Sequence, residues 1–442
     1  MKALPALLLS VLAWLFPVLC TGAAEEKKAE PGLAELAADK RGASNFIREK
    51  VPHPEPGTTE LQQKGYGLGV FISADGLALL NLSNLATANK PELLADNSST
   101  ELPLGTILGI FPEPELALVK FKYKPKLWVP LAAKEPETGE QIAIAGLSNF
   151  TARGDTATPV IGPVLAKRST FGSNLREPRF RRIMSLGAGM DMRQRTSFTQ
   201  GSWAVNAKGE LVAVKAGVRV GQGQLMILLA PLGELAEQVE KMVKDPKPIP
   251  FPLPADKNPI DLALMDPAFH RWDTARQAGD EKAAMEQMRD LQKRYPDDPM
   301  VGLFAFGAML TAEDKPVTKL DDLPKLEATA PAALKFYRLQ ARASFLAESQ
   351  KDYAAAIREF TPALELCPKD FPEALTTLES LHRQANHADE SEALLRQIHA
   401  LEPENIALAS ALEMLLTRKG KLDEAQKFTD KVFELEKLYQ AR

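Results

Sequence analysis

The sequence is poor in cysteine and histidine, the two residue types on which many catalytic and metal sites depend. Its 442 residues include two cysteines and five histidines. Cys20 lies in the apolar N-terminal run, so Cys367 alone would remain after processing, and one thiol forms no internal disulfide. Cys367 precedes Pro368 at a predicted helix end, where a buried structural thiol is expected. The sequence therefore predicts neither a metal centre nor a cofactor.

An excess of charge of one sign is also lacking. The formal net charge is −4, with 25% charged and 45% apolar residues, which is typical of an ordinary globular protein. A balance this close to neutral excludes a general polyanion-binding protein, so we expect no nucleic-acid partner. The length exceeds what one hydrophobic core usually serves, which predicts at least two domains.

The N-terminus has the layout of a secretory signal peptide over residues 1–24. Lys2 precedes an apolar run over residues 3–20, and small residues follow it. We therefore expect an exported protein, periplasmic or extracellular or associated with the envelope, without a membrane span after cleavage.

Two other interpretations of the N-terminus compete with a cleaved signal peptide. A lipoprotein site would use Cys20, but Leu19 stands where that peptidase requires a small residue. An uncleaved anchor is the other alternative, and about 17 apolar residues are at the lower limit for a span.

The rest of the chain changes character twice. Short apolar runs alternate with Gly, Pro and Asn up to about residue 230, which predicts an all-β sandwich or barrel. Proline then occupies every second position from 246 to 254, which predicts a stiff, extended linker or, alternatively, a polyproline ligand for a partner domain. We divide the chain into a signal peptide (1–24), an N-terminal linker (25–57), a β-rich domain (58–244), a Pro-rich linker (245–259) and a helical domain (260–442).

The helical domain shows an internal repeat. Pro296, Pro331, Pro368 and Pro403 are separated by 35, 37 and 35 residues. A proline that closes a two-helix unit at this period resembles the tetratricopeptide repeat (TPR). The stretch 313–330 departs from this pattern because two further prolines interrupt it.

The β-rich domain resembles the HtrA-type, trypsin-like serine proteases. A Gly-x-Gly start, an aliphatic run and Asp75-Gly76 predict a β-hairpin at residues 67–81, which is how that family opens. Six later segments follow in the family's order: 115–121, 139–146, 160–164, 198–206, 209–214 and 221–231. The resemblance implies a trypsin-like double β-barrel.

The resemblance also assigns the three positions of a catalytic triad, and this chain departs from it at all three. The triad needs a serine whose proton passes to a histidine held by a carboxylate. Those positions read Gln200, Ser83 and Glu115, and no histidine lies between His53 and His270. From these residues we expect a non-catalytic pseudoprotease.

An enzyme with an unorthodox active site is the competing hypothesis. Ser202 or Ser83 would be its nucleophile, and Lys208 or Lys215 could form a Ser–Lys pair with Ser202. Against this, the register of the segment from Trp203 aligns Ser202 with a glycine of the family, and both lysines are expected to be exposed.

Two further groups of residues are candidates for binding. Repeat register predicts that four residues of the helical domain either face a peptide-binding groove or form surface salt bridges: Arg338, Glu348, Glu373 and Arg383. Eight basic residues of the β-rich domain form either a binding lip or a set of solvated charges: Lys167, Arg168, Arg176, Arg179, Arg181, Arg182, Arg193 and Arg195.

The sequence thus predicts a multidomain protein, an all-β trypsin-like double β-barrel followed by an all-α TPR solenoid. The expected function is that of an exported, non-catalytic scaffold or adaptor with a protein or peptide partner. The alternative is an active serine endopeptidase of HtrA-like type.

Overall fold

The structure is a computed structural model. It describes residues 31–52, 61–95, 100–145, 159–172, 175–187, 202–221, 224–311 and 319–440. The predicted signal peptide lies outside the described residues. So do Gln200, Arg193 and Arg195.

Strands dominate the N-terminal half, as the alternation of short apolar runs predicts. In chain order they are β1 (Ser44–Pro52), β2 (Leu61–Phe71), β3 (Leu77–Asn81), β4 (Glu92–Ala95), β5 (Thr100–Pro103), β6 (Thr106–Phe111), β7 (Leu116–Lys120), β8 (Gln141–Ala145), β9 (Val160–Gly172), β10 (Arg179–Leu186), β11 (Trp203–Val205), β12 (Leu211–Gly221) and β13 (Gln224–Pro231).

The strands form two sheets. The first has seven strands in the order β5-β4-β1-β2-β3-β7-β6, and the second closes into a barrel of six in the order β10-β13-β12-β11-β8-β9. A cluster of buried apolar side chains includes Leu79 and Leu118 from the first sheet and Val205 from the second. Of the described sheets only the second is closed, so the double barrel remains a prediction for the first.

The predicted hairpin is confirmed, because β2 pairs with β3 in antiparallel fashion. Its turn closes through an Ile72 N–H that donates to the Leu77 carbonyl at 2.8 Å. Gly76 has a φ of 91°, and a Cβ there would collide with the carbonyl oxygens of Phe121 and Tyr123. Glycine is therefore required at this position.

The assignment of residues 25–57 to a linker differs from the structure. Residues Pro31–Asp39 form α1, and β1 then pairs with both β2 and β4 inside the first sheet. Phe46 and Ile47 of β1 are buried, and their partners lie outside the segment. The charged, proline-containing composition of the segment does not predict a strand. The strand is defined by its pairing with β2 and β4, which lie later in the chain.

The C-terminal half is helical. Two further helices belong to the β-rich half, α2 (Leu82–Thr87) and α3 (Leu235–Lys244). Those of the C-terminal half are α4 (Pro267–Gln277), α5 (Glu281–Arg294), α6 (Pro299–Thr311), α7 (Ala332–Glu348), α8 (Tyr353–Phe360), α9 (Pro372–Gln384), α10 (Ala388–Leu401), α11 (Ile406–Arg418) and α12 (Leu422–Gln440). No described helix combines the length and the apolar character needed to span a bilayer.

One turn geometry recurs between the helices of the C-terminal half. Gly279, Lys351, Asn386 and Gly420 all have φ between 58° and 74°, and each lies just before a helix. The last three are spaced by about 35 residues, and the first lies about twice that distance upstream. This supports the repeat period derived from the prolines, while the tetratricopeptide assignment remains a prediction.

The Pro-rich segment lies against the chain's own sheets. The Ile249 N–H donates to the Ile107 carbonyl at 2.9 Å, and Ile260 pairs with Leu175. Ile249, Phe251 and Leu253 pack onto the core of the first sheet. The segment is therefore not a free linker, while Pro246, Pro248, Pro250 and Pro252 remain exposed, so the polyproline-ligand alternative stays a prediction.

The helical half also packs directly on the closed barrel. The Phe180 ring on β10 lies 4.8 Å from that of Phe371 and 5.9 Å from that of Phe336. Arg168 on β9 is 3% exposed and forms salt bridges with Glu402, at 3.4 Å, and Glu404. Aromatic packing and buried charge pairs therefore join the two halves.

A pair of aspartates lies where the Pro-rich segment meets the helices. Asp261 is buried and accepts the Ala263 N–H at 3.0 Å, while Asp298 accepts the N–H groups of Met300 and Val301, both at 2.9 Å. Burial and the charge of Asp298 raise the pKa of Asp261 to about 6. A raised carboxyl pKa means that the folded chain holds this proton more tightly than the unfolded chain does.

We therefore predict that Asp261→Asn stabilises the protein above pH 7 and has little effect near pH 4. The free energy of unfolding of the wild-type protein falls as the pH rises through about 6, where Asp261 loses its proton. Above pH 7 the variant should exceed the wild type in this free energy by on the order of 3 kcal/mol. Urea unfolding at both pH values measures it. The exposed Asp256→Asn is the control, and equal effects of the two variants would contradict the prediction.

Candidate active site

The structure brings two of the three predicted triad positions into contact. Ser83 lies on α2, and Glu115 lies in the turn before β7. The Ser83 hydroxyl donates to Glu115 Oε2 at 3.0 Å, and the two residues are 1% and 4% exposed. The third position, Gln200, is outside the described residues, so its relation to this pair stays a prediction.

Local backbone chemistry holds this pair in place. Asn81 caps α2 by accepting the Asn84 N–H on Oδ1 at 2.9 Å. The Leu82 N–H donates to the Glu115 carbonyl at 2.8 Å, which ties the start of α2 to the turn. Glu115 has a φ of 55°, an uncommon conformation for a residue with a side chain.

Arg181 is the third member of a cluster with Ser83 and Glu115. Its contact with Glu115 is not predicted by the sequence. Its Nη1 donates to Glu115 Oε1 at 2.6 Å, from β10 in the other sheet. The two residues are 66 positions apart, so no local pattern could pair them. Both carboxylate oxygens of Glu115 are thus engaged, Oε1 by Arg181 and Oε2 by Ser83.

A backbone hydrogen bond joins Ser202 and Lys215. Trp203 pairs with Val214 at the end of the β11–β12 ladder, and Ser202, which is 0% exposed, lies next to Trp203. The Lys215 N–H donates to the Ser202 carbonyl at 2.6 Å.

The expectation that both candidate lysines are exposed is wrong for one of them. Lys208 is exposed in the turn before β12, whereas Lys215 is half-buried within the strand. Burial lowers the pKa of Lys215 from its ordinary value. A signal was present in the sequence, because Lys215 lies between Val214 and Ala216 at the end of an otherwise apolar run.

The predicted groove residues of the helical half have different surroundings. Arg338 Nε donates to the Pro324 carbonyl at 3.1 Å. Glu348 is exposed at the last residue of α7. Glu373 accepts from the Thr170 hydroxyl of β9 at 3.3 Å, on the side that meets the barrel.

Arg383 is the one of the four that lines a large groove. The groove has a volume of about 700 Å³ and is formed mainly by α9, α10 and α11. Arg383 forms a salt bridge with Glu379 at 3.3 Å. Met414 and Arg418 also line the groove, and Met414 is 52% exposed.

The basic residues considered as a binding lip are engaged within the chain. Five of the six that the structure describes form ion pairs, and the sixth donates to a carbonyl: Lys167 to Glu137, Arg168 to Glu402 and Glu404, Arg179 to Glu177, Arg181 to Glu115, Arg182 to Glu135, and Arg176 to the Ala255 carbonyl. Arg168 is buried and is therefore neither part of a lip nor a solvated charge, whereas Arg176 and Arg182 are exposed. Apart from Glu177, which is two residues from Arg179, the partners come from other segments.

Within the part of the chain that the structure describes, no three His, Cys, Asp or Glu side chains converge as a metal site. No protein-family model matches the chain.

A curated relative shares the β-rich half. The chain is 28% identical over 221 residues to a protein named probable periplasmic serine endoprotease DegP-like, from Ectopseudomonas mendocina (strain ymp). The match covers 49% of this chain and 43% of that protein, so the chain spans less than half the length of the relative. About half of the chain is thus homologous to HtrA-type, trypsin-like serine proteases.

Two solved structures also align with this half. The Rv3671c protease from M. tuberculosis, in its active form, is 18% identical, with 48% of this chain and 87% of that chain covered and a TM-score of 0.36. The HtrA-type protease AlgW with a decapeptide is 19% identical, with 48% and 68% covered and a TM-score of 0.37.

The expectation that the chain is not an enzyme is wrong in the light of the curated relative. That expectation came from the residue types at positions 83, 115 and 200, whereas the protein matched over 221 residues is named a serine endoprotease. Loss of the Ser–His pair does not by itself abolish serine chemistry, because Ser–Lys pairs perform the same steps.

We predict that Arg181→Ala destabilises the protein by about 3 to 5 kcal/mol, since it leaves the Glu115 carboxylate buried without its cation. Urea unfolding measures the loss. Arg182→Ala, on the same strand with a half-exposed ion pair to Glu135, is the matched control and should cost about 1 kcal/mol or less. An Arg181→Ala cost no larger than that of the control would show that Glu115 does not depend on Arg181.

Proposed function

We propose that the β-rich half is a serine endopeptidase in which Ser202 is the nucleophile and Lys215 the general base. The observation that carries the proposal is the backbone hydrogen bond that joins Lys215 to Ser202 at the end of the β11–β12 ladder. Homology of this half to serine endoproteases supports the reaction class. The predicted signal peptide and the relative's periplasmic location support a protein exported to the periplasm.

Ser202 acts as the nucleophile, and Lys215 acts first as the general base and then as the general acid. Ser202 Oγ attacks the peptide carbonyl carbon while its proton passes to the neutral Lys215 amine. The resulting ammonium then donates that proton to the leaving amine, and the peptide C–N bond breaks. Water hydrolyses the acyl-serine ester by the same route, returning the serine and releasing the new carboxylate.

Lys215 is suited to this task because a lysine is a base only when it is neutral. A lysine with its ordinary pKa remains protonated at neutral pH. Burial lowers the pKa of Lys215, which increases the neutral fraction available to accept the serine proton.

We predict that a fluorophosphonate probe labels Ser202 and that Ser202→Ala abolishes both labelling and casein cleavage. Mass spectrometry of the labelled peptide identifies the site. Ser83→Ala is the matched control and should retain labelling, because the Ser83 hydroxyl is engaged by Glu115. Labelling at Ser83, or none in the wild-type protein, would contradict the proposal.

We also predict that Lys215→Arg lowers kcat by ~10³-fold or more, because arginine keeps the positive charge but cannot act as a base. Activity of the wild-type protein should rise with pH, with a midpoint below the ordinary lysine value of 10.5. Lys208→Arg is the control and should leave kcat unchanged. Equal rates for the two variants would exclude Lys215 as the base.

The groove of the helical half favours a second function, the binding of an acidic polypeptide segment. The acids that line it have partners inside the chain. Glu379 accepts from Ser391 at 2.7 Å, and Glu402 pairs with Arg168 at 3.4 Å and accepts from Asn405 at 2.8 Å. Arg383 balances the charge of Glu379 through a salt bridge at 3.3 Å, and Arg168 balances that of Glu402.

The groove offers an occupant both positive charge and apolar surface. Arg418 and Arg383 are exposed at the groove, Arg383 beside its partner Glu379, and the exposed Met414 also lines it. This combination suits an extended peptide with carboxylates next to an apolar side chain.

We predict that a fluorescein-labelled peptide ending in Leu-Glu-Asp binds the full chain more tightly than the same peptide with lysine at its acidic positions. Fluorescence anisotropy measures both affinities. Arg383→Ala/Arg418→Ala should weaken binding by ~10-fold. The exposed pair Arg276→Ala/Arg289→Ala is the control. Equal binding of the two peptides would exclude charge recognition by the groove.

A further inference from the structure

Two histidines face each other at the turn between α9 and α10. Their Nδ1 atoms lie 3.2 Å apart, and the ring centroids are 5.4 Å apart. His382 lies in the last turn of α9, and His387 is the N-cap residue immediately before α10. Neither residue takes part in the proposed peptidase site or in the groove.

The backbone fixes the spacing of the two rings. The His387 N–H donates to the His382 carbonyl at 2.9 Å. The same bond joins Asp280 to Ala275 before α5 and Lys421 to Leu416 before α12. The two histidines therefore occupy the ends of a turn that the helical half uses repeatedly, so their approach does not depend on flexible side chains alone.

His387 also lacks the capping hydrogen bond that stabilises the helix start at related turns. Asp280 and Asp352 cap their helices by accepting a backbone N–H at 3.0 and 2.8 Å. The His387 side chain makes no capping hydrogen bond. Replacing a capping side chain destabilises a helix, so the histidine is not explained by helix formation.

We infer that His382 and His387 form a two-imidazole site for a borderline divalent cation, for which Zn²⁺ is the test ion. Zn–N bonds of about 2.0–2.1 Å at a tetrahedral angle separate two ligand nitrogens by about 3.3 Å, close to the 3.2 Å between the Nδ1 atoms. Water would complete the coordination. Within the described residues no third His, Cys, Asp or Glu side chain joins the pair, so the two imidazoles are the protein ligands.

The proposal is tested with the full, tag-free chain by isothermal titration with ZnCl₂. We expect one Zn²⁺ per chain and no heat with MgCl₂, because Mg²⁺ prefers oxygen ligands. His382→Ala should lose the Zn²⁺ heat. His270→Ala, which removes an exposed histidine elsewhere in the helical half, is the matched control and should retain it.

A second variant separates metal binding from folding. His387→Asn restores a capping side chain that is a poor Zn²⁺ ligand. We expect this variant to melt at or above the wild-type temperature without metal and to show no rise in melting temperature with Zn²⁺, while the wild-type protein does. Absence of Zn²⁺ binding by the wild-type chain, or unchanged binding by His387→Asn, would overturn the inference.

Discussion

The buried pair between Glu115 and Arg181 is the constraint on which the arrangement of the two sheets depends. Glu115 belongs to the turn before β7 of the first sheet, and Arg181 belongs to β10 of the closed barrel, with 2.6 Å between their charged atoms. A buried pair recovers little net free energy after desolvation, but a misplaced partner leaves an uncompensated charge. The pair therefore contributes mainly by penalising other relative positions of the two sheets, and Ser83 is held by the same carboxylate.

The strand β10 extends this constraint to the helical half. Phe180, the neighbour of Arg181, packs against the rings of Phe336 and Phe371. Successive side chains of a strand lie on opposite faces, so one short strand can meet the first sheet with one residue and the helices with the next. Further along β10, Ser185 donates to Glu404 at 3.0 Å. The three parts of the molecule consequently meet at a single strand.

Features set by local chemistry could be predicted from the sequence. The hairpin follows from Asp75-Gly76 because only glycine fits there, and the helix starts follow from turns at a fixed spacing. Features set by distant partners could not. The strand β1 lies in a charged, proline-rich segment and is defined by its pairing with β2 and β4. Its burial depends on residues that a local pattern does not contain.

The same distinction explains which site residues the sequence placed correctly. The contact between positions 83 and 115 could be anticipated because a family resemblance supplies long-range information, whereas the partner of Arg168 is 236 residues away and no resemblance supplies it. Lys215 is an intermediate case. A lysine at the end of a run of buried strand residues loses water on folding whatever its distant neighbours are. Desolvation is a consequence of the local run, and it is what distinguishes Lys215 chemically from the exposed Lys208.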